Sequence, residues 1–173
     1  IDLDCGEGKP YVDLNTGLVA LKDFCKATGL PKPTILKSGR GAHVYWILDK
    51  ELSTKDWKPH AERLKELCVE HKFNIDYAVP ADAARVLRTP ESLHLKDLDN
   101  PIPVDILYVA PLIATEKMQE ILAPSEDILK MLEKAEFKRP MDAITLALMG
   151  SSQSRFRTIL IKSAEGTGCN QLL

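Results

Sequence analysis

The sequence predicts an α+β fold, a central antiparallel sheet flanked by helices and followed by a small helical region, and three observations predict it. Residues 33–48 hold two apolar, partly β-branched runs separated by Ser38-Gly39-Arg40-Gly41, the pattern of two strands joined by a glycine turn. Residues 54–71 carry Trp57, Ala61, Leu64, Leu67 and Cys68 at helical spacing behind a Ser53 or Thr54 cap. From residue 112 onward the pattern is helical.

The elements follow in order. Residues 1–5 alternate apolar and acidic side chains and read as a strand with Asp2 and Asp4 on one face. After a Gly/Pro-containing loop, residues 17–28 place Leu18, Leu21, Phe24 and Cys25 on one helical stripe, with Gly29 as the stop. The two strands at 33–37 and 42–48 form the hairpin, and the helix at 54–71 comes next. In 73–96 the periodicity is poor, and the expectation is a short strand at 73–76 and a helical turn at 82–86. Pro101, Pro103 and Pro111 make 98–109 an extended connection with a short strand. Helices are expected to about residue 122, then over 124–136, and from Met141 and Ser152. The predicted division is a core at 1–110, a helical extension or linker at 111–139 and the start of a further helical region at 140–173, with Lys138-Arg139-Pro140 as the boundary.

The 173 residues, 45% hydrophobic, suffice for one ordinary core. Charged residues make up 28% and the net charge is −2, so any nucleic-acid contact has to use a local basic patch. Cys5, Cys25, Cys68 and Cys169 show no zinc-ligand spacing and are expected as free thiols in a reducing compartment. No apolar run approaches the roughly 20 residues that cross a bilayer, so the expectation is a soluble, cytoplasmic protein without a membrane partner. The chain opens on a strand pattern at Ile1 and closes on Leu172-Leu173, and is expected to be an internal piece of a longer protein.

Three constellations carry candidate chemistry. Side chains at i and i+2 of a strand lie about 6 to 7 Å apart, so Asp2 and Asp4 can share divalent cations about 3.5 to 4 Å from each other; the alternative is two solvated aspartates on an exposed face. In Ser38-Gly39-Arg40-Gly41-Ala42-His43 the glycines let backbone N–H groups close on phosphate oxygens, Arg40 adds charge and His43 can donate a hydrogen bond; the alternative is a plain hairpin turn with a surface histidine. Ile75-Asp76 offers a third carboxylate, with Asp82 as its rival, while Arg85 and Arg88 share one face of a helical turn and can grip phosphates; the alternative is a surface cluster of weak ion pairs.

In this order the motifs resemble the archaeo-eukaryotic primase superfamily, in its phage and plasmid version, over residues 1–96. Asp2-Leu3-Asp4 is similar to its DxD motif. Ser38-Gly39-Arg40-Gly41-Ala42-His43-Val44-Tyr45-Trp46 is similar to its SxH-type motif, and Ile75-Asp76 to its third, hydrophobic-Asp motif. Ala84-Arg85-Val86-Leu87-Arg88-Thr89-Pro90 resembles the segment after it, whereas Glu91-Ser92-Leu93-His94-Leu95-Lys96 keeps only the lysine of the family's pattern. The resemblance implies an RRM-like primase-polymerase core. It implies Mg²⁺ or Mn²⁺ on Asp2, Asp4 and Asp76, with His43 beside them. Ser38, Gly39, Arg40, Gly41, His43, Arg85 and Arg88 would hold a nucleoside triphosphate. The implied partners are a single-stranded DNA template and a helicase module or partner protein, and the source is a phage or mobile element, in the host cytoplasm. Lys37, Arg40 and Lys96 are candidates for template or primer phosphates, and a solvated basic face explains them equally well. Gly166-Thr167-Gly168 lacks the context of an ATPase phosphate loop. Two other functions compete: a two-metal nuclease or phosphodiesterase, built from the same carboxylates and histidine, and an inactive nucleic-acid-binding module.

Overall fold

The structure, a computed structural model, describes residues 1–137. The helices expected from Met141 and Ser152, the Lys138-Arg139-Pro140 boundary, the region 140–173 and Cys169 lie outside the described residues. The fold is α+β. Ile1–Pro124 forms one compact unit and a second begins at Ser125. In chain order the elements are β1 (Asp2–Leu3), α1 (Leu14–Thr28), β2 (Thr34–Lys37), β3 (Ala42–Tyr45), α2 (Thr54–Glu70), β4 (Leu93–His94), β5 (Ile102–Pro103), β6 (Asp105–Tyr108), α3 (Thr115–Ile121) and α4 (Glu126–Phe137). Within the second unit, Ser125 Oγ accepts the Ile128 N–H at the start of α4, and Lys130 pairs with Glu126 one turn earlier.

Local signals account for the two longest helices. Asp13 caps α1 by accepting the Thr16 N–H at 2.8 Å, so the helix begins at Leu14, three residues before the expected start, and Gly29 ends it. Ser53 caps α2 through the Asp56 N–H at 3.1 Å. Gly17, Leu21, Phe24 and Cys25 of α1 and Ala61, Leu64, Leu67 and Cys68 of α2 are buried. With Leu3, Ala42, Val44, Phe73 and Ile75 most of them form one apolar cluster, in which the Phe24 and Phe73 rings stack at 4.6 Å. Cys5, Cys25 and Cys68 are buried free thiols.

The main sheet has the order β1-β3-β2-β6, with every neighbouring pair antiparallel. The hairpin forms as expected, closed by the Ser38 N–H to Gly41 carbonyl bond at 3.0 Å, although β3 ends at Tyr45 rather than residue 48. β1 and β2 flank β3, so α1 carries the chain across the sheet. Asp2 and Leu36 both lie opposite His43, while Leu3 lies opposite Ala42 and Ile35 opposite Val44. Strand alternation therefore puts Asp2, His43 and Leu36 on one face, and Leu3, Ala42 and Val44 on the face that α1 and α2 cover.

The stretch after α2 departs from its expected form. Residues 73–76 form no strand; their tie to the sheet is the Asp76 N–H, which donates to the Asp2 carbonyl at 3.0 Å. The helical turn expected at 82–86 is instead part of a chain of tight turns, Asp76 to Val79, Val79 to Asp82 and Asp82 to Arg85. Asp76 and Asp82 each accept the N–H two residues on, from Ala78 and Ala84. This local side-chain bonding offers the backbone an alternative to the helix. Among the described residues no helix is long and apolar enough to cross a membrane.

Candidate active site

The site lies on the sheet face away from α1 and α2, along β1 and β3. The first constellation supplies Asp2, whose side chain is 20% exposed, and Asp4, just past β1 and largely exposed. The antiparallel register sets His43 directly across from Asp2, and the bond from Asp76 to the Asp2 carbonyl brings in the third carboxylate. Burial, first, and then the charges of Asp4 and Asp76 raise the Asp2 pKa above its ordinary 3.8. Asp4 and Asp76 thus both act on Asp2 electrostatically.

His43 is no surface histidine: it is 1% exposed. Its Nε2 lies 3.8 Å from Asp2 Oδ1 and its Nδ1 3.5 Å from the Tyr45 hydroxyl. Burial and then the Arg88 guanidinium pull its pKa down to about 4. The ring is therefore neutral at neutral pH, and its contact with Asp2 is polar rather than ionic. The Tyr45 hydroxyl is pushed up to about 12 by burial and by Asp2.

The arginines leave the common helical face expected of them. Arg85 Nη2 pairs with Asp76 Oδ2 at 3.1 Å, and Arg88 Nη1 donates to the Ser38 carbonyl at 3.1 Å. Arg88 thereby fastens the 85–96 segment to the β2–β3 turn, and its charge reaches both Asp2 and His43. Ser38 is buried.

The turn glycines have their own packing reasons. A Cβ at Gly41 would stand 1.9 Å from the Leu3 carbonyl oxygen, so β1 can pair with β3 only if residue 41 lacks a side chain. Gly39 has φ +117°, and a Cβ there would meet the His94 ring at 2.6 Å. His94, from β4, was not among the expected site residues. With Arg40, Lys96, Asp97, Asn100 and Ile102 it lines a small hollow between the β2–β3 turn and the β4–β5 hairpin. Desolvation and then the charges of Arg88, Lys96 and Arg40 lower the His94 pKa, which identifies a convergent basic cluster. Lys37 does not join it. It follows Leu36 on β2 and so belongs, by alternation, to the face opposite His43.

Whether these groups suit a divalent cation is decided by the carboxylates. As the side chains stand, no group of three or more His, Cys, Asp or Glu among the described residues is arranged to hold a metal ion. Asp76 is engaged by Ala78 and Arg85, and Asp4 by Lys9, whose Nζ is 2.9 Å from Asp4 Oδ2. The donor chemistry does suit a divalent cation, since carboxylate oxygens are hard donors, and Asp4 already holds one ammonium. Lys9 carried no motif signal, and only the folded chain reveals where it lies.

No protein family matches the chain, and no curated protein or solved structure matches it.

Proposed function

We propose that this chain carries the catalytic core of a primase-polymerase, which transfers nucleotides from nucleoside triphosphates to a 3′-hydroxyl and so makes or extends primers on single-stranded DNA. The observation that carries the reading is the hydrogen bond from the Asp76 N–H to the Asp2 carbonyl, with His43 paired across from Asp2. Motifs far apart in the chain meet at one place on one sheet face. The connectivity supports the RRM-like reading. A βαββα run with β3 between β1 and β2 matches the first five elements of the split βαββαβ pattern, and the segment after α2 returns to β1 through the bond from Asp76 to Asp2 without forming the last strand.

Divalent cations on Asp2, Asp4 and Asp76 would lower the pKa of the attacking hydroxyl and offset the charge of the leaving pyrophosphate. The chain's own residues position the substrate. Arg88, fastened to the Ser38 carbonyl, presents a fixed guanidinium beside Asp2 and His43, and Arg85 presents a second beside Asp76. Neutral His43 donates an N–H without adding charge. Arg40, His94 and Lys96 extend the basic region along the rim, where phosphates of the triphosphate or of the DNA backbone are accommodated. The turn at 38–43 with Arg88 fastened to it, and Arg85 beside Asp76, favour holding a triphosphate over phosphodiester hydrolysis.

The test is primer synthesis and extension on single-stranded DNA with Mg²⁺ or Mn²⁺ and labelled nucleotides, comparing the chain with its Asp2→Ala/Asp4→Ala variant. Metal-dependent products that drop by more than about a hundredfold in the variant are expected. Cleavage of the DNA without synthesis, by folded protein, would transfer the assignment to a nuclease. Metal-independent DNA binding with neither activity would leave a binding module.

A further inference from the structure

Lys9 is aimed at the carboxylates by the loop after β1. The Gly6 N–H donates to the Tyr11 carbonyl at 2.9 Å and the Lys9 N–H to the Gly6 carbonyl at 3.1 Å, so the loop closes on itself with Lys9 at its rim. Its Nζ then reaches Asp4 Oδ2 at 2.9 Å. The hydrogen bond to Asp4, first, and then the charges of Asp4, Asp2 and Asp76 raise the Lys9 pKa.

Burial, first, and then the charges of Asp4 and Asp76 raise the Asp2 pKa, so the neighbouring carboxylates repel. A cation relieves that repulsion, and in this structure the Lys9 ammonium supplies one positive charge at Asp4. We infer that Lys9 is a built-in counter-cation that competes with a divalent cation for Asp4. The inference rests on reading these acids as cation ligands. An oxygen of Asp4 bonded to Lys9 is withheld from a metal ion, and an ammonium close to a divalent ion repels it. Lys9 therefore sets the cation affinity of the site below what its three carboxylates alone would give. It also offsets their mutual repulsion when no cation is bound.

The experiment is Mn²⁺ titration of the full chain without nucleotide or DNA, with free Mn²⁺ followed by electron paramagnetic resonance at low ionic strength, for wild type, Lys9→Met and Lys9→Arg. Circular dichroism checks that each is folded. Lys9→Met is expected to bind Mn²⁺ about tenfold more tightly, and Lys9→Arg, which keeps the charge, to stay near wild type. Adding Asp4→Asn to Lys9→Met is expected to abolish the gain. Equal or weaker binding by Lys9→Met, or a gain that persists without Asp4, overturns the role of Lys9 and leaves the carboxylate reading standing. Absence of Mn²⁺ binding in wild type and Lys9→Met alike overturns both.

Discussion

At the scale of single residues, His43 and Asp2 oppose each other in their response to pH. The folded chain holds His43 at about 4 against an ordinary 6.5, a displacement of about 3 kcal/mol between its two protonation states. Between pH 6.5 and about 4 the unfolded chain binds that proton and the folded chain does not, so His43 removes stability as the pH falls through this window. Asp2 has the opposite sign. Its raised pKa contributes stability that is fully present below 3.8 and is lost as the pH rises through the folded value. Thermal melts without divalent cation, taken from pH 7 to 4, are expected to show a loss of stability that shrinks clearly in His43→Gln. An unchanged acid slope in that variant would mean that the buried ring is protonated in the fold. The alternation of 42–45 made His43 visible as a strand residue, but not its burial, because the Arg88 segment that covers this face comes from far along the chain.

At the scale of elements, the β2–β3 hairpin and its contact with β1 form the frame of the site. The hairpin was legible because two β-branched runs around a glycine turn have few other local solutions. That reading took Gly39 and Gly41 as a phosphate cradle, whereas the folded chain gives each a packing reason. A methyl at residue 41 meets backbone, not a flexible side chain, so relief requires pulling β1 away from β3. Gly41→Ala is expected to cost at least about 3 kcal/mol in denaturant unfolding. Arg40→Ala, exposed in the same turn, is expected to stay within about 0.5 kcal/mol. Equal effects of the two would refute the close approach of Leu3. The start of α1 was legible too late in the chain: Asp13 followed by Thr16 is a capping signal, but the apolar stripe that marked the helix begins only beyond it.

At the scale of the whole molecule, every strand among the described residues and the contiguous apolar cluster fall within Ile1–Pro124. A chain ending at Pro124 is expected to unfold cooperatively, with a midpoint within a few degrees of the parent in thermal melts followed by circular dichroism. A molten, non-cooperative transition would show that the core needs residues beyond 124. The unit's central fact is the return of 73–76 to β1. A short strand was expected there, and the segment forms none. It forms no ladder because Asp76 turns it with its own carboxylate, accepting the Ala78 N–H, directly after the Asp76 N–H has bonded Asp2.

The sequence by itself determined the mixed α+β class, the two long helices, the hairpin and the identity of the acidic and basic residues, because each of these rests on short-range spacing. Only the tertiary structure decided which of those residues meet. It set Asp76 against Asp2, buried His43, separated Arg85 from Arg88, sent Lys37 to the other face and brought Lys9 to Asp4. These outcomes depend on hydrogen bonds and burial between segments distant in the chain, and local pattern carries no information about such partners.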